Sequence, residues 1–259
     1  MKNSKWGPAG VGVATGFLSG LFGVGGGILM VPCLVLLLGM EQRRAHGTSL
    51  GAMVPISAAA LVGFLLDGSV AWMPGLLIFA GSSVGVTTGT GLLNRLPIRL
   101  LRIGFAVLLL VTAVEFLVTA PHTEGHGGVT VPLAFAYFGC GLATGLLSGT
   151  MGVGGGVIMI PAMILLFGFF DTTAKGTSLL VILPTSMIGT ARNRRSGNID
   201  PGVALVVGLS GVASAFVGAL GAGELSPRLS ATLFAGLLIV SAAQMLRHAN
   251  DRPAPEEAA

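Results

Sequence analysis

Gly-Phe-Leu-Ser-Gly-Leu-Phe-Gly-Val-Gly-Gly-Gly occupies Gly16–Gly27 and returns as Gly-Leu-Leu-Ser-Gly-Thr-Met-Gly-Val-Gly-Gly-Gly at Gly145–Gly156, 129 positions later. The same offset pairs Pro32 with Pro161, Thr48 and Ser49 with Thr177 and Ser178, and Pro55 with Pro184. Further along, Phe105–Leu110 aligns with Phe234–Ile239. The chain therefore reads as two homologous halves, the symmetry found in membrane proteins built from internal repeats.

Of the 259 residues, 53% are hydrophobic and 9% are charged, against roughly 25% charged in soluble domains. That composition excludes a soluble globular protein. Cys33 and Cys140 do not correspond between the halves and have neither metal-ligand nor redox spacing, so they read as packing thiols. No metal site and no cofactor is expected, since neither G-x-G-x-x-G nor G-x-x-x-x-G-K-[ST] is present. The net charge of +4 does not point to nucleic acid. The basic residues sit at the ends of apolar segments with no interleaved aromatics, as membrane anchors do. Lys2 and Lys5 ahead of an apolar stretch look like a signal peptide, yet Gly12, Gly16 and Gly20 have counterparts in Gly141, Gly145 and Gly149. The segment is expected to be retained as part of the fold.

Measured against a span of about 20 residues, the apolar stretches fall at 9–39, 47–66, 72–93 and 99–119, then 130–168, 176–191, 202–222 and 228–247. The first stretch of each half is broken by Gly-Val-Gly-Gly-Gly, too long for one crossing and too short for two. If each crosses once, Lys and Arg divide evenly between the two sides. If each is a re-entrant hairpin, twelve of the fourteen lie on the N-terminal side and only Lys175 and Arg228 lie opposite. The positive-inside rule selects the hairpins. One hairpin plus three crossings is an odd number, so the halves are expected to be inverted repeats with both termini cytoplasmic. The expected organisation is all-α and polytopic: a first repeat at 1–120, an external linker at 121–129, a second repeat at 130–248 and a disordered cytoplasmic tail at 249–259. His122, Glu124 and His126 read as part of a solvated loop.

Irregular backbone at membrane depth must be buried in protein or line a watery cavity. Gly25, Gly26 and Gly27, with Gly154, Gly155 and Gly156, permit positive φ and close approach, and the returning arm of each hairpin starts there with free N–H groups. Inversion would bring the two tips face to face near the midplane as one anion pocket. The outer row Gly12, Gly16 and Gly20, with its counterparts, has the small-xxx-small spacing of close helix packing. A second shared motif, Ala45–Leu50 and Ala174–Leu179, opens the helix after each hairpin. The hydroxyls of Thr48, Ser49, Thr177 and Ser178 either cap that helix or donate to an oxyanion. Pro55 and Pro184 just beyond them mark a kink.

Five further positions are candidates for gating or coupling. His46 and Lys175 are equivalents at opposite faces, suited either to attracting anions or to interfacial anchoring. Glu115 is the one acid well inside an expected span, and intramembrane acids are functional candidates. Arg192 and Arg194 sit at the inner end of their helix, as positive-inside anchors or in an inner vestibule.

The repeated Gly-x-Gly-Gly-Gly, the Ala-x-Gly-Thr-Ser-Leu after each copy, and Arg-Arg-Ser-Gly-Asn-Ile-Asp at Arg194–Asp200 together resemble the TauE/SafE family of sulfite exporters, over about Val11 to Leu246. The resemblance implies transport of sulfur-containing anions such as sulfite, sulfoacetate or other organosulfonates across the bacterial inner membrane. The expected activity is export by alternating access through a pocket of Gly25–Gly27, Thr48, Ser49, Gly154–Gly156, Thr177 and Ser178. Alternatives are an anion channel, a proton-coupled importer using Glu115, His46 or Lys175, and a structural subunit. An enzyme is not expected, for want of a His-rich metal set, paired intramembrane acids or a Ser with a neighbouring base. The expected partners are a small anion and the bilayer, with no nucleic acid; a homodimer is left open.

Overall fold

The computed structural model describes residues 6–92, 129–152 and 154–249, with residues 103, 106, 107, 110, 111, 113 and 114 between them. Glu115, most of the expected span at 99–119, the linker up to residue 128 and the tail from residue 250 lie outside the described residues. Among the described residues the regular structure is entirely helical. The elements are α1 (Trp6–Phe22), α2 (Gly27–Leu36), α3 (Gln42–Leu66), α4 (Trp72–Leu92), α5 (Val131–Met151), α6 (Gly156–Leu165), α7 (Asp171–Arg195), α8 (Pro201–Ala222) and α9 (Pro227–Ala249).

The 129-residue offset is carried into the backbone. Helices α2 and α6 each have ten residues and start at equivalent positions, and α3 and α7 each have 25. Among the described residues, positive φ occurs only at ten glycines, which form five equivalent pairs: Gly23 and Gly152, Gly25 and Gly154, Gly26 and Gly155, Gly39 and Gly168, Gly68 and Gly197. Three of the pairs break the chain between α1 and α2 and between α5 and α6, where successive left-handed residues cannot continue a right-handed helix. After the break α2 turns back along α1, so that a Cβ on Gly7 would lie 3.3 Å from Leu38 Cδ2.

Helices α3 and α7 extend beyond the apolar stretches 47–66 and 176–191. Each starts five residues earlier, taking in Arg43, Arg44 and Asp171, and α7 runs on through Arg192–Arg195. Hydropathy stops where charge begins, but Arg, Lys and Gln are good helix formers. Asp171 at the start and the arginines at the end of α7 also suit its dipole.

The halves interlock. Helix α1 packs on α8 of the other half, and α5 packs on α4. A Cβ on Gly12, Gly16 or Gly20 would come closer than 3.0 Å to the carbonyl oxygens of Val207, Gly211 and Ala215. A Cβ on Gly141, Gly145 or Gly149 would do the same at Ile78, Ser82 and Val86. These glycine rows let two backbones touch, the packing device read from their spacing. Rising residue numbers pair with rising numbers, so both contacts are parallel. At the centre, α3 lies against its own equivalent α7: a Cβ on Gly47 would meet Asn193 and Asn198, one on Gly189 would meet Leu50, and one on Gly176 would meet Phe64. There the numbers run in opposite senses, and the two helices are antiparallel.

Four described helices, α3, α4, α5 and α8, are long and apolar enough to cross a membrane. Their outward faces expose Leu66, Leu76, Phe135, Leu142, Leu205, Leu209 and Val217. Apolar side chains on so many outer faces suit hydrocarbon better than water.

Candidate functional site

Each glycine tip is held by the other half of the chain. Gly23 ends α1, its N–H bonded to the carbonyl of Ser19 at 2.8 Å; Gly152 ends α5 on Ser148 at the same distance. The carbonyl of Gly23 accepts from Ser178 Oγ at 2.5 Å, and that of Gly152 accepts from Ser49 Oγ at 2.7 Å. A Cβ on Gly23 would collide with the backbone of Lys175, and one on Gly152 with the backbone of His46. The Nδ1 of His46 also bonds the carbonyl of Met151.

The threonines of the same motif serve the starts of the following helices of the opposite half. Thr48 Oγ1 accepts from the N–H of Asp200 at 2.9 Å, immediately before α8, and Thr177 Oγ1 accepts from Ala71 N–H at 2.9 Å, immediately before α4. Gly47 and Gly176 leave room for these crossings, since a Cβ there would strike the carbonyls of Asn198 and Ser69. Thr48, Ser49, Thr177 and Ser178 are all fully buried. Neither threonine caps its own helix: Glu41 and Phe170 are the N-cap residues of α3 and α7, and neither makes a side-chain cap bond.

Beyond Gly23 and Gly152 the tips approach each other. A Cβ on Gly156 would lie 2.9 Å from Val24 Cα. Gly26 and Gly155 are left-handed N-caps with no side-chain cap bond, so the first N–H groups of α2 and α6 have no side-chain partner at the cap. Gly25 and Gly154 both face the methyl end of Met53, and Ile182 packs beside Gly25, Gly154 and Gly156. Met53 and Ile182 are equivalents at offset 129, both with no exposed surface. They fill the space between the tips and were not singled out from sequence, because an apolar residue in the middle of a helix carries no signal distinguishing it from core.

Two more equivalents stand within the repeated run. Ser19 and Ser148, 0% and 1% exposed, have side-chain hydroxyls without a hydrogen-bond partner. The position of a Cβ on Gly26 lies 3.4 Å from Ser19 Cβ.

Of the charged candidates, Lys175 meets the first tip through its backbone and Cβ at Gly23, while its ammonium group is engaged elsewhere. Lys175, 2% exposed, bonds Asp171 at 2.6 Å within α7 and donates to Ser230 Oγ on α9 at 2.7 Å. Its positive charge is thus neutralised within its own helix. Arg192 is exposed and donates to the carbonyl of Thr87 near the end of α4 at 2.8 Å, and Arg194 is exposed. Glu115 lies outside the described residues. Among the described residues no group of three or more His, Cys, Asp or Glu is placed to hold a metal ion.

Long apolar helices with apolar outer faces, interlocked around glycine-broken backbone, define a multi-pass membrane protein. Its class follows from its relatives: residues 1–116 and 137–259 match the family described as sulfite exporter TauE/SafE, and the chain belongs to that family of membrane transporters. The chain is 29% identical over 213 residues to the probable membrane transporter protein YunE of Bacillus subtilis, covering 73% of this chain and 78% of that one. It is 29% identical over 227 residues to a probable membrane transporter protein of Xylella fastidiosa, covering 86% and 85%. A third relative, the probable membrane transporter protein YdhB of Bacillus subtilis, is 26% identical over 207 residues, covering 79% and 84%.

Proposed function

We propose that the protein exports small sulfur-containing anions, sulfite or an organosulfonate such as sulfoacetate, through a pocket formed where the two glycine tips meet. The observation that carries the reading is the approach of Gly156 to Val24, which puts the start of α6 beside the break that precedes α2. Two helix N-termini offer backbone N–H groups and the positive ends of two dipoles to one anion. The polypeptide around them, Thr15–Ile28 and Thr144–Val157, has no charged residue. Binding through partial charges alone is weak enough to allow release on the far side.

The family description supports the substrate class. The antiparallel crossing of α3 on α7 supports inverted repeats, and the return of α2 along α1 supports a re-entrant hairpin. With the Lys- and Arg-rich side inward, both termini are cytoplasmic in a bacterial inner membrane. The filling of the inter-tip space by Met53 and Ile182 favours a transporter that must rearrange over a permanently open channel. Alternating access would part the interlocked pairs α1–α8 and α4–α5 in turn. An interior-negative potential favours outward movement of a monoanion by about 2.3 kcal/mol per 100 mV, so export needs no obligatory proton.

The test is flux in proteoliposomes. Saturable sulfite or sulfonate transport that shows counterflow is the expected result. Flux that does not saturate and shows no counterflow would identify a channel, and no flux of any of these anions would reject the reading.

A further inference from the structure

We propose that Ser19 and Ser148 are donors to the transported oxyanion, one from each side of the single pocket between the starts of α2 and α6. The assignment rests on the anion-transport reading and names side chains in that same site.

A buried serine in a helix ordinarily returns its hydroxyl to a carbonyl one turn back. Its neighbours do so: Thr15 bonds Val11 at 2.7 Å, Ser57 bonds Met53 at 2.6 Å and Thr150 bonds Leu146 at 3.0 Å. Ser19 and Ser148 do not, and burying a hydroxyl without a partner costs stability. Other buried hydroxyls without partners exist, at Ser186 and Thr190, but they are not duplicated. The equivalent of Ser186 is Ser57, which is bonded, and the equivalent of Thr190 is Leu61. A cost met twice, at one register of both halves, points to a use made of both groups.

Their position indicates the use. The carbonyl of each serine holds the N–H of the glycine that ends the first hairpin arm, Gly23 or Gly152. On the first tip, the Ser19 side chain lies against Gly26, the left-handed N-cap of α2, whose Cβ would also come within 2.9 Å of Thr15 O. The second tip repeats the fit, with 2.9 Å from a Cβ on Gly155 to Thr144 O. A side chain at Gly26 would press between Ser19 and the start of α2. Ser19 thus stands beside the start of α2, and Ser148 occupies the equivalent register ahead of α6, so that each tip can offer a hydroxyl together with the N–H groups of a helix start. Hydroxyl and amide donors with no fixed charge suit a sulfite or sulfonate group, whose oxygens accept several hydrogen bonds at once.

The experiment uses the full-length protein purified in detergent, with sulfite, methanesulfonate and sulfate as probes. Wild type, Ser19→Ala, Ser148→Ala and the double variant are compared by calorimetric titration and by thermal unfolding without anion. The expected result is a Kd for sulfite or methanesulfonate weakened about tenfold by each substitution and about a hundredfold by both, with the anion-free Tm unchanged or raised. Wild-type binding that survives both substitutions overturns the serine assignment and leaves the transport reading standing. An anion-free Tm lowered by several degrees overturns it too, because the hydroxyls would then be structural. Failure of the wild type to bind any of the three anions rejects both.

Discussion

Ser178 reaches out of the second half to donate its hydroxyl to the carbonyl of Gly23 in the first, 2.5 Å away, and Ser49 repays the contact on Gly152 at 2.7 Å. Each half thus fixes the point at which the other half's helix breaks. The motif Ala-x-Gly-Thr-Ser-Leu is a clamp on the opposite tip, and the geometry of any site between the tips depends on it.

Removing one clamp leaves a buried carbonyl short of a donor. Ser49→Ala and Ser178→Ala are each expected to lower stability by about 1–3 kcal/mol, visible as a lower Tm in detergent. Equal losses would reflect the symmetry of the two contacts. An unchanged Tm in both variants would show that the tips are held by other means.

The glycine rows predict a contrast within one helix. A Cβ on Gly20 would come closer than 3.0 Å to the carbonyl of Ala215 and the amide of Ala219, whereas a Cβ on Gly10 meets nothing within 4 Å. Gly20→Ala should destabilise by about 1–3 kcal/mol or more, since backbone cannot yield as a side chain can. Gly10→Ala, in the same helix, should be neutral or stabilise by up to about 1 kcal/mol. Thermal unfolding of the two variants side by side checks both signs.

At Gly154 the obstacle is conformation and not space. A Cβ there would press on Met53 Cε, the free end of a flexible side chain, but φ is +80°. Gly154→Ala is expected to cost about 1–2 kcal/mol through the left-handed backbone. Adding Met53→Ala should not restore the loss. Recovery of Tm in the double variant would mean that crowding, and not φ, excludes a side chain at this position.

Lys175 and Asp171 form a buried ion pair, with side chains 3% and 13% exposed. Lys175→Met leaves a buried carboxylate uncompensated and should cost about 3–5 kcal/mol. Replacing both, as Lys175→Met with Asp171→Leu, should be milder than the single change, because no lone charge remains. If the pair instead serves transport, the double variant will fold but lose flux in proteoliposomes, and that comparison separates the two roles.

Much of the architecture is legible in the sequence. The break between α1 and α2, its copy 129 residues on and the close-packing glycine rows all follow from where glycine recurs, because backbone freedom and the missing Cβ are properties of the residue itself. Helix ends were less legible. Arg43, Arg44, Asp171 and Arg192–Arg195 are helical, though a reading by hydropathy stops at charge, since helix formation and membrane solubility are separate preferences.

The site was legible only in part, and the reason is distance along the chain. Thr48 and Thr177 are recognisable as hydroxyls near a helix start, but their donors, Asp200 and Ala71, stand 152 and 106 positions away. Met53 and Ile182 look like any core residues until the tips close around them. Ser19 and Ser148 look like ordinary helix serines until their hydroxyls are found without partners. The sequence by itself determined that this is a duplicated, all-helical membrane protein broken at two glycine tips, because composition and glycine placement act locally. Only the tertiary structure decided that each half clamps the other's tip and that two apolar side chains stand between them, because those relationships exist only once the halves interlock.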